Sequence, residues 1–303
     1  MGQLDGRVAI VTGAARGIGR GEARLLAAEG AHVVVNDLGT ALDGGGTDAS
    51  AAQAVVDEIT TAGGVAVANG DDVASWDGAR RLVEQAVEVF GDLNIVVNNA
   101  GFLRDRMTFN MEEADFDAVI RVHVKGHFAT ARFASAYWRD RAKADRPVYG
   151  RIVNTSSEAG LWGNPGQANY AAAKGGIYSL TLTLARELKR FGVTANAIAP
   201  RARTRMTEPL GGGFSPDQDI SGFDDLDPDN VAPAVAWLAS EAAGGISGQV
   251  FMVTGGRVHL VDGFRGLGVV TKDGRWSVEE LIAHQGELFA DHPPGIPDFG
   301  LGA

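Results

Sequence analysis

The sequence predicts an α/β protein in which a doubly wound parallel sheet of about seven strands carries helices on both faces. Three observations lead to this class. Short β-branched runs alternate with helix-length segments along the first 256 residues. The runs are mostly apolar, as expected of strands that are covered on both faces of a sheet. The composition, with 45% hydrophobic and 21% charged residues, is that of an ordinary globular protein.

The predicted elements follow one another in a regular order of strand and helix. Strands are predicted over residues 8–11, 32–35, 65–67, 94–97, 151–154, 193–198 and 249–253. Helices are predicted over residues 17–30, 49–62, 77–90, 111–137, 169–191 and 228–242. No linker-like or repeated segment interrupts residues 1–256, so we predict a single domain there.

The last part of the chain, residues 257–303, is predicted to be a C-terminal extension that packs on this domain or on a neighbouring subunit. It begins with a glycine-rich stretch and contains one clear helix signal. Ser277 and Glu280 have the spacing of a capping box, which predicts a helix over residues 278–289.

Composition and charge exclude several classes of protein. The chain has no cysteine, which excludes a disulfide framework, thiolate metal sites and a cysteine nucleophile. The net charge of −11 argues against a nucleic-acid partner, because phosphate contacts need a surplus of Lys and Arg. No stretch approaches the roughly 20 apolar residues that span a bilayer, and the N-terminus lacks the apolar core of a signal peptide. We therefore expect a cytoplasmic protein with no membrane partner.

A glycine-rich loop follows the first predicted strand and opens the first predicted helix. Gly13, Gly17 and Gly19 lie in this loop. They would let backbone N–H groups and the helix N-terminus approach a pyrophosphate, since no Cβ stands in the way. Such a pattern in isolation can also be a simple turn. The strand, loop and helix context favours a dinucleotide site.

Asp37 and Arg16 bear on which dinucleotide binds. Asp37 ends the second predicted strand, where a carboxylate can accept hydrogen bonds from the adenosine ribose and repel a 2′-phosphate. Arg16, beside the glycine loop, favours NADP instead, because a basic residue there can pair with the 2′-phosphate. The Asp37 charge acts at the position of the phosphate itself, so we predict NAD in preference to NADP.

The candidate catalytic residues are Ser157, Tyr170 and Lys174. Ser157 follows the predicted strand 151–154, at the sheet edge where ligands bind in open α/β folds. Tyr170 and Lys174 are four residues apart and share one face of a helix. A phenol is a poor base at its ordinary pKa of about 10, but a neighbouring ammonium stabilises the phenolate. The set therefore fits proton transfer from an alcohol, with the serine hydroxyl holding the substrate oxygen.

The glycine loop, Ser157, and the Tyr170 and Lys174 pair follow one another along the chain in a characteristic order. By these motifs the chain is identified as a member of the short-chain dehydrogenase/reductase family, with a Rossmann-type fold, over about residues 4–256. Further segments are similar to one subgroup, the (3R)-hydroxyacyl-CoA dehydrogenase domains of peroxisomal multifunctional enzymes and their stand-alone actinobacterial relatives. These segments are residues 35–39, 101–106, 121–126, 166–170 and 199–207.

The resemblance implies a role for each matching residue. Tyr170 would be the acid/base, Lys174 its pKa partner and a ribose contact, and Ser157 the donor to the substrate oxygen. The implied cofactor contacts are Gly13, Arg16, Gly17, Ile18, Gly19, Asp37, Asp72, Val73, Asn99, Ala100, Gly101, Tyr170, Lys174, Pro200 and Thr204.

Three further implications concern the surroundings of the site. His123 joins the predicted catalytic residues through the resemblance: it replaces the usual Asn, whose main chain supports a proton-relay water, and the main chain of His can fill that role. Arg201 stands where many members of the family have Gly, which affects the substrate loop. Residues 211–229 occupy the position of a mobile substrate lid.

Two side-chain groups have alternative interpretations. Arg201, Arg203 and Arg205 would either contact the phosphates of an acyl-CoA or pair with nearby acidic residues and solvent. His123 and His127 lie four residues apart, but no third ligand accompanies them, so we predict no metal site.

The predicted function is the NAD-dependent interconversion of a secondary alcohol and a ketone. The preferred substrate, a fatty or sterol-derived 3-hydroxyacyl-CoA, follows from the subgroup resemblance alone. One alternative is an NADPH-dependent 3-oxoacyl thioester reductase or a hydroxysteroid dehydrogenase. A second is a catalytically idle NAD(H)-binding sensor. The resemblance also implies a homodimer or homotetramer.

Overall fold

In the computed structural model, eight strands form one sheet. The structure describes residues 2–40, 45–48, 50–208, 214, 222–263, 266–291, 294–296 and 299. The strands are β1 (Val8–Thr12), β2 (His32–Asn36), β3 (Val65–Asn69), β4 (Ile95–Asn98), β5 (Gly150–Thr155), β6 (Val193–Pro200), β7 (Val250–Thr254) and β8 (Arg257–Val261). Their order is β3-β2-β1-β4-β5-β6-β7-β8, and every pairing is parallel except that of β7 with β8.

Helices cover both faces of the sheet. They are α1 (Gly17–Ala28), α2 (Ser50–Thr61), α3 (Trp76–Phe90), α4 (Glu113–Ile120), α5 (Gly126–Lys143), α6 (Glu158–Trp162), α7 (Ala168–Leu188) and α8 (Ala232–Ala239). A further helix, α9 (Val278–Leu288), lies in the C-terminal part of the chain. Successive residues of β1 point to opposite sides, since side chains alternate along a strand. Ala9 and Val11 join a core under α1, α2 and α8, whereas Val8 and Ile10 join a second core under α3, α5 and α7.

The predicted fold class is confirmed, and the seven predicted strands are present within two residues of their predicted ends. The sheet has one strand more than predicted, because β8 turns back after Gly255 and Gly256 and pairs with β7. The predicted helix 111–137 is interrupted by a π-helical turn, Arg121–Lys125, between α4 and α5. The short helix α6 lies in a segment with no predicted element.

Two compact units make up the chain, Met1–Val261 and Asp262–Ala303. The second unit contains the predicted capping box. The Ser277 hydroxyl accepts from the N–H of Glu280 at 3.1 Å, and the Glu280 carboxylate accepts from the N–H of Ser277 at 2.6 Å. This reciprocal pairing satisfies two free donors at the start of α9.

Some predicted features lie outside the described residues. Most of the predicted lid, residues 211–213 and 215–221, is among them, as are residues 264–265, 292–293, 297–298 and 300–303 of the predicted extension. Within the described part of the chain, no helix has the length and hydropathy needed to cross a bilayer.

Candidate active site

The glycine loop lies where the strand order reverses, between β1 and β4. In open α/β sheets this reversal creates a crevice at the carboxyl ends of the strands, where ligands bind. Gly13 has a φ of +65°, and a Cβ on it would lie 2.7 Å from the Cα of Ala100. A Cβ on Gly19 would overlap the carbonyl of Gly13. Only glycine therefore fits these two positions.

The loop after β4 is tied to the glycine loop by hydrogen bonds. The Thr12 hydroxyl accepts from the N–H groups of Asn99 and Ala100 at 3.0 and 3.1 Å. The Asn99 amide donates to the carbonyls of Thr12 and Gly13 at 3.1 and 3.0 Å. These bonds fix the two sides of the crevice relative to each other. The role of Thr12 was not predicted, although it is the last residue before the first glycine of the loop.

The N-terminus of α1 suits a negatively charged group. No side chain caps this end of the helix, and its first turn contains no acidic residue. The free N–H groups and the positive end of the helix dipole are therefore left for an external acceptor. Thr204 packs close to this loop, since a Cβ on Gly17 would meet its methyl carbon at 3.4 Å. The residues present thus fit a dinucleotide pyrophosphate.

Asp37 is held beside the same loop. Its two carboxylate oxygens accept from the N–H of Ala15 at 2.9 Å and from the N–H of Gly39 at 2.7 Å. Arg16 is exposed, and its charge acts on Asp48, whose pKa is lowered mainly by hydrogen bonds from Ser50 and secondarily by Arg16. A second carboxylate thus lies near the basic residue that would receive a 2′-phosphate.

The loop after β3 contains Asp72 and Val73, two of the cofactor contacts that the resemblance implies. The Asp72 carboxylate accepts from the N–H of Ala74 at 2.8 Å and pairs with Arg121. Val73 is buried, and its side chain lies 3.0 Å from the Cβ position of Gly126. These contacts hold both residues against the π turn and the start of α5.

The three candidate catalytic residues come together at the carboxyl edge of β5. Ser157 is the N-cap of α6 and hydrogen-bonds the Tyr170 hydroxyl. Lys174 lies one turn beyond Tyr170 on α7, and its Nζ lies 5.4 Å from the centroid of the tyrosine ring. Lys174 is buried, and its ammonium donates to the carbonyl of Thr155 at 2.6 Å. The spacing of four residues thus brings the phenol and the amine to the same face of α7.

Burial shifts the pKa values of both Tyr170 and Lys174. It raises the pKa of Tyr170 to about 12, while the hydrogen bond from Ser157 lowers it and the charge of Asp105 raises it further. Burial also lowers the pKa of Lys174 to about 7. Neighbouring groups in one crevice, one with a raised pKa and one with a lowered pKa, are typical of acid–base sites. The set can hold a hydroxyl oxygen through Ser157 and exchange its proton with Tyr170.

His123 lies in the π turn and is fully buried. Its Nε2 is 3.1 Å from the N–H and 2.8 Å from the carbonyl oxygen of Phe102. The ring stands edge-on to Tyr170 with centroids 5.3 Å apart, and a Cβ on Gly101 would overlap it. Burial, and then the charge of Lys174, lower the pKa of His123 to about 3, so the ring is neutral. Its geometry is that of a positioning residue between Tyr170 and the loop after β4.

Replacing His123 with Leu is expected to lower kcat about 100-fold, because the Phe102 backbone loses its partner and Tyr170 loses its support. His123→Asn keeps a donor and an acceptor for the same backbone and should stay within about tenfold of the wild type. Steady-state kinetics and the dissociation constant of NADH would measure both effects. An unchanged kcat in the leucine variant would contradict this role.

A buried chain of amides lies beneath the site and was not predicted. The Asn98 amide donates to Asn154 at 2.9 Å, and the Asn154 amide donates to Thr181 at 2.9 Å. The chain connects β4, β5 and α7, which carry the two loops and the tyrosine. The sequence signal is an asparagine near the carboxyl end of each of two buried strands, since a buried amide needs partners.

For the arginines of residues 201–205, the alternatives are contact with CoA phosphates and pairing with acidic residues or solvent. Arg203 pairs with Asp224 at 2.8 Å, so its guanidinium is used within the protein. Arg201 is exposed and lies 5.7 Å from the ring centroid of Phe214. Among the described residues, no cluster of three or more acidic or imidazole side chains is arranged to hold a metal ion.

A dinucleotide crevice beside a serine, tyrosine and lysine defines an oxidoreductase that uses a nicotinamide cofactor and acts on hydroxyl groups. The chain belongs to the short-chain dehydrogenase family, whose model, described as short chain dehydrogenase, matches residues 7–211. The family membership predicted from the motifs is confirmed.

Three relatives illustrate the similarity. Hydroxyacyl-CoA dehydrogenase ChsB1 of Mycobacterium tuberculosis is 50% identical over 298 residues, which cover 96% of this chain and 91% of that protein. Peroxisomal multifunctional enzyme type 2 of Drosophila melanogaster is 44% identical over 272 residues, which cover 89% of this chain but 42% of that longer protein. A crystal structure of a short chain dehydrogenase from Mycobacterium avium is 52% identical, with a TM-score of 0.88, and the match covers 99% of this chain and 100% of that one.

Proposed function

We propose that the protein is an NAD-dependent dehydrogenase that oxidises a fatty or sterol-derived 3-hydroxyacyl-CoA to the 3-oxoacyl-CoA, reversibly. The observation that carries the chemistry is the Tyr170 phenol, which hydrogen-bonds Ser157 and has the buried Lys174 amine 5.4 Å from its ring centroid. The substrate class is supported by ChsB1, a hydroxyacyl-CoA dehydrogenase that matches this chain over 91% of its own length.

Two contacts favour NAD over NADP. Asp37 is fixed by the N–H groups of Ala15 and Gly39, so its charge cannot easily turn away from a ribose 2′-substituent. Arg16, the residue that would attract a 2′-phosphate, lies in the field of Asp48. Both carboxylates therefore oppose NADP.

The first experiment measures reduced-nicotinamide formation from NAD and from NADP with a panel of 3-hydroxyacyl-CoA esters and free hydroxysteroids. NAD-linked turnover of the CoA esters would support the proposal. Turnover of the CoA-free alcohols alone would favour a hydroxysteroid dehydrogenase, and a preference for NADPH in the reverse direction would favour a 3-oxoacyl thioester reductase. Tight NADH binding without turnover of any alcohol would favour the sensor.

Replacing Asp37 with Asn should change the cofactor preference. The amide keeps an acceptor for one backbone N–H but removes the negative charge that repels a 2′-phosphate. We expect kcat/KM with NADP to rise about tenfold, as for the loss of one like-charge contact, and kcat/KM with NAD to fall. Initial rates with both cofactors would measure this. An unchanged ratio of the two values would place the selectivity elsewhere.

Two arginines of the run, Arg201 and Arg205, would be available to the CoA phosphates, because both are exposed, whereas Arg203 is paired with Asp224. Arg201 follows the carboxyl end of β6 directly and is exposed. A guanidinium in this position can bind a phosphate through two parallel hydrogen bonds.

A homodimer or homotetramer remains a prediction for the assembly, and the cytoplasm for the location. Support for self-association comes from a groove between α5 and α7 that exposes part of its apolar lining. Phe128 is exposed there beside Leu184, Leu188 and Phe191. Exposed apolar surface of this kind on the helices of a globular protein is typical of protein interfaces.

A further inference from the structure

The loop after β4 carries an acidic residue, Asp105, beside the start of the helix that holds Tyr170. The N–H of Arg106 donates to the carbonyl of Gly166 at 2.8 Å, and Arg106 forms a parallel bridge with Gln167. The Gln167 side-chain amide donates to the Asp105 carboxylate at 2.7 Å. Gln167 is the N-cap of α7, three residues before Tyr170. The carboxylate is therefore fixed relative to the catalytic phenol.

A second set of contacts holds the same loop. The Asn169 amide donates to the carbonyl of Arg104 at 2.9 Å and to that of Asp115 at 3.2 Å, while Arg106 pairs with Asp115 at 2.8 Å. The arginine that follows Asp105 is thus directed to another carboxylate. Among the described residues, Asp105 itself forms no ion pair. Its charge is left without a neutralising partner.

In the described part of the chain, few charged groups face the Tyr170 phenol from the elements packed around it. Lys174 lies one turn away on α7, and His123 on the π turn is neutral. Ser157 at the start of α6 contributes a hydrogen bond, and Asp105 contributes the negative charge on this side. Burial raises the pKa of Tyr170 most, the hydrogen bond from Ser157 lowers it, and the charge of Asp105 raises it further.

We propose that Asp105 is a positioning residue that acts through Tyr170: its fixed, unneutralised charge disfavours the phenolate and so sets the pH range in which the alcohol is oxidised. In oxidation, the substrate hydroxyl gives its proton to the Tyr170 oxygen, which must be unprotonated beforehand. In reduction, the Tyr170 hydroxyl gives a proton to the carbonyl oxygen. The charge of Asp105 disfavours the unprotonated Tyr170 that oxidation needs and favours the protonated Tyr170 that reduction needs. The enzyme therefore reduces the ketone up to a higher pH than it would without this charge.

The test compares Asp105→Asn with the wild type over pH 5 to 10 in both directions. The amide has the size of the carboxylate but no charge. The acid limb of kcat for oxidation and the alkaline limb of kcat for reduction should both move to lower pH by about half a unit to one unit. Oxidation on the acid side then becomes about three to tenfold faster, and reduction on the alkaline side slows by the same factor.

Two controls separate the effect of losing the Asp105 charge from a structural effect of the substitution. Asp117→Asn removes an exposed carboxylate of α4 and should leave both limbs in place. The displacement caused by Asp105→Asn should shrink in 1 M NaCl, because Asp105 is exposed and salt screens its field. A variant that loses rate equally at all pH values, or in which the two limbs stay in place, overturns the proposal.

The inference rests on the proposed acid/base role of Tyr170 but not on the substrate class. Any secondary alcohol that is turned over serves for the pH profiles, so failure of the CoA esters alone leaves the test intact. If no alcohol is oxidised, tyrosinate absorbance is titrated with NAD bound, and the curve of Tyr170→Phe is subtracted. The chain has four tyrosines, so one difference curve isolates Tyr170. It should titrate at lower pH in Asp105→Asn, and an unchanged curve overturns the proposal.

Discussion

Replacing Tyr170 with Phe is expected to lower kcat for alcohol oxidation about a thousandfold, while the dissociation constant of NADH stays within about twofold. Proton transfer by a positioned side chain typically contributes a factor of about 100 to 10,000. The phenylalanine ring keeps the packing against His123, whose ring centroid lies 5.3 Å from that of Tyr170. The loss should therefore fall on the chemical step and leave cofactor binding intact.

The size of this effect follows from the environment of the phenol. Burial raises the pKa of Tyr170 to about 12, so the isolated side chain is protonated at physiological pH and needs stabilisation of its anion. Ser157 supplies a hydrogen bond, and Lys174 supplies a cationic neighbour in its protonated form. The bound nicotinamide supplies the hydride acceptor in oxidation and the hydride donor in reduction. Without the hydroxyl of Tyr170, no other described group at Ser157 can take the alcohol proton in the same position.

Tyr137→Phe is the matched control. The Tyr137 hydroxyl bonds Asp92 at 2.8 Å, just before β4 begins and therefore at the opposite edge of the sheet from the site. Its removal should cost a little stability and leave kcat unchanged. Equal losses of kcat in both variants would point to a general defect and would count against Tyr170 as the acid/base.

A second large effect is expected on stability from Glu22, a residue that the proposed mechanism does not use. Glu22 lies on α1 with no exposed surface, and neither carboxylate oxygen has a hydrogen-bond partner among the described residues. Burial raises its pKa from 4.5 to about 8. Glu22→Gln is expected to raise the free energy of unfolding at pH 8 by about 2 to 4 kcal/mol, because the amide carries no charge to desolvate.

The pH dependence follows from which state holds the proton. Between pH 4.5 and about 8 the folded protein keeps the Glu22 proton and the unfolded chain does not, so stability falls as pH rises through this window. Below pH 4.5 the wild type and the glutamine variant should differ little. His123, with its pKa lowered to about 3, acts in the opposite direction, since it makes the folded state less stable as pH falls below its ordinary value of 6.5.

The difference between variant and wild type isolates Glu22 from these other groups. Denaturant unfolding at pH 5, 7 and 8.5 would give this difference, which should grow with pH. Glu88→Gln, an exposed glutamate on α3, serves as the control and should run parallel to the wild type. A constant offset between Glu22→Gln and the wild type would show that the carboxyl does not titrate in this range.

Most of the fold was predictable because its signals are local. Each parallel strand is an apolar run, and the burial of all five residues of β1 shows why. The π turn was not predictable, because nothing in the sequence of residues 121–125 distinguishes a π-helical turn from an α-helical one. β8 escaped prediction because Arg257 and His259 alternate with its apolar residues, so that the strand lacks a continuous apolar run.

Some residues of the candidate site could likewise be proposed from the sequence, and others could not. Residues with a fixed spacing, such as Tyr170 and Lys174, or with a steric requirement, such as Gly13, could be identified from the sequence alone. Asp105 and Glu22 could not, because an acidic residue in a loop or on a helix is usually solvated. Their properties depend on what surrounds them, Gln167 in one case and an apolar interior in the other.

The antiparallel pairing of β8 with β7 has a consequence for solubility. β7 is almost wholly buried and would, without β8, present a row of unpaired N–H and C=O groups along one side. Such an edge is a template on which a strand of another molecule can add, and apolar edges lead to aggregates. β8 takes that position, and on this outermost strand Arg257 and His259 alternate with the exposed Val258 and Leu260, so that a charged side chain and a polar ring interrupt the apolar edge. A chain shortened after Gly256 would therefore keep every residue of the proposed catalytic set and still tend to precipitate.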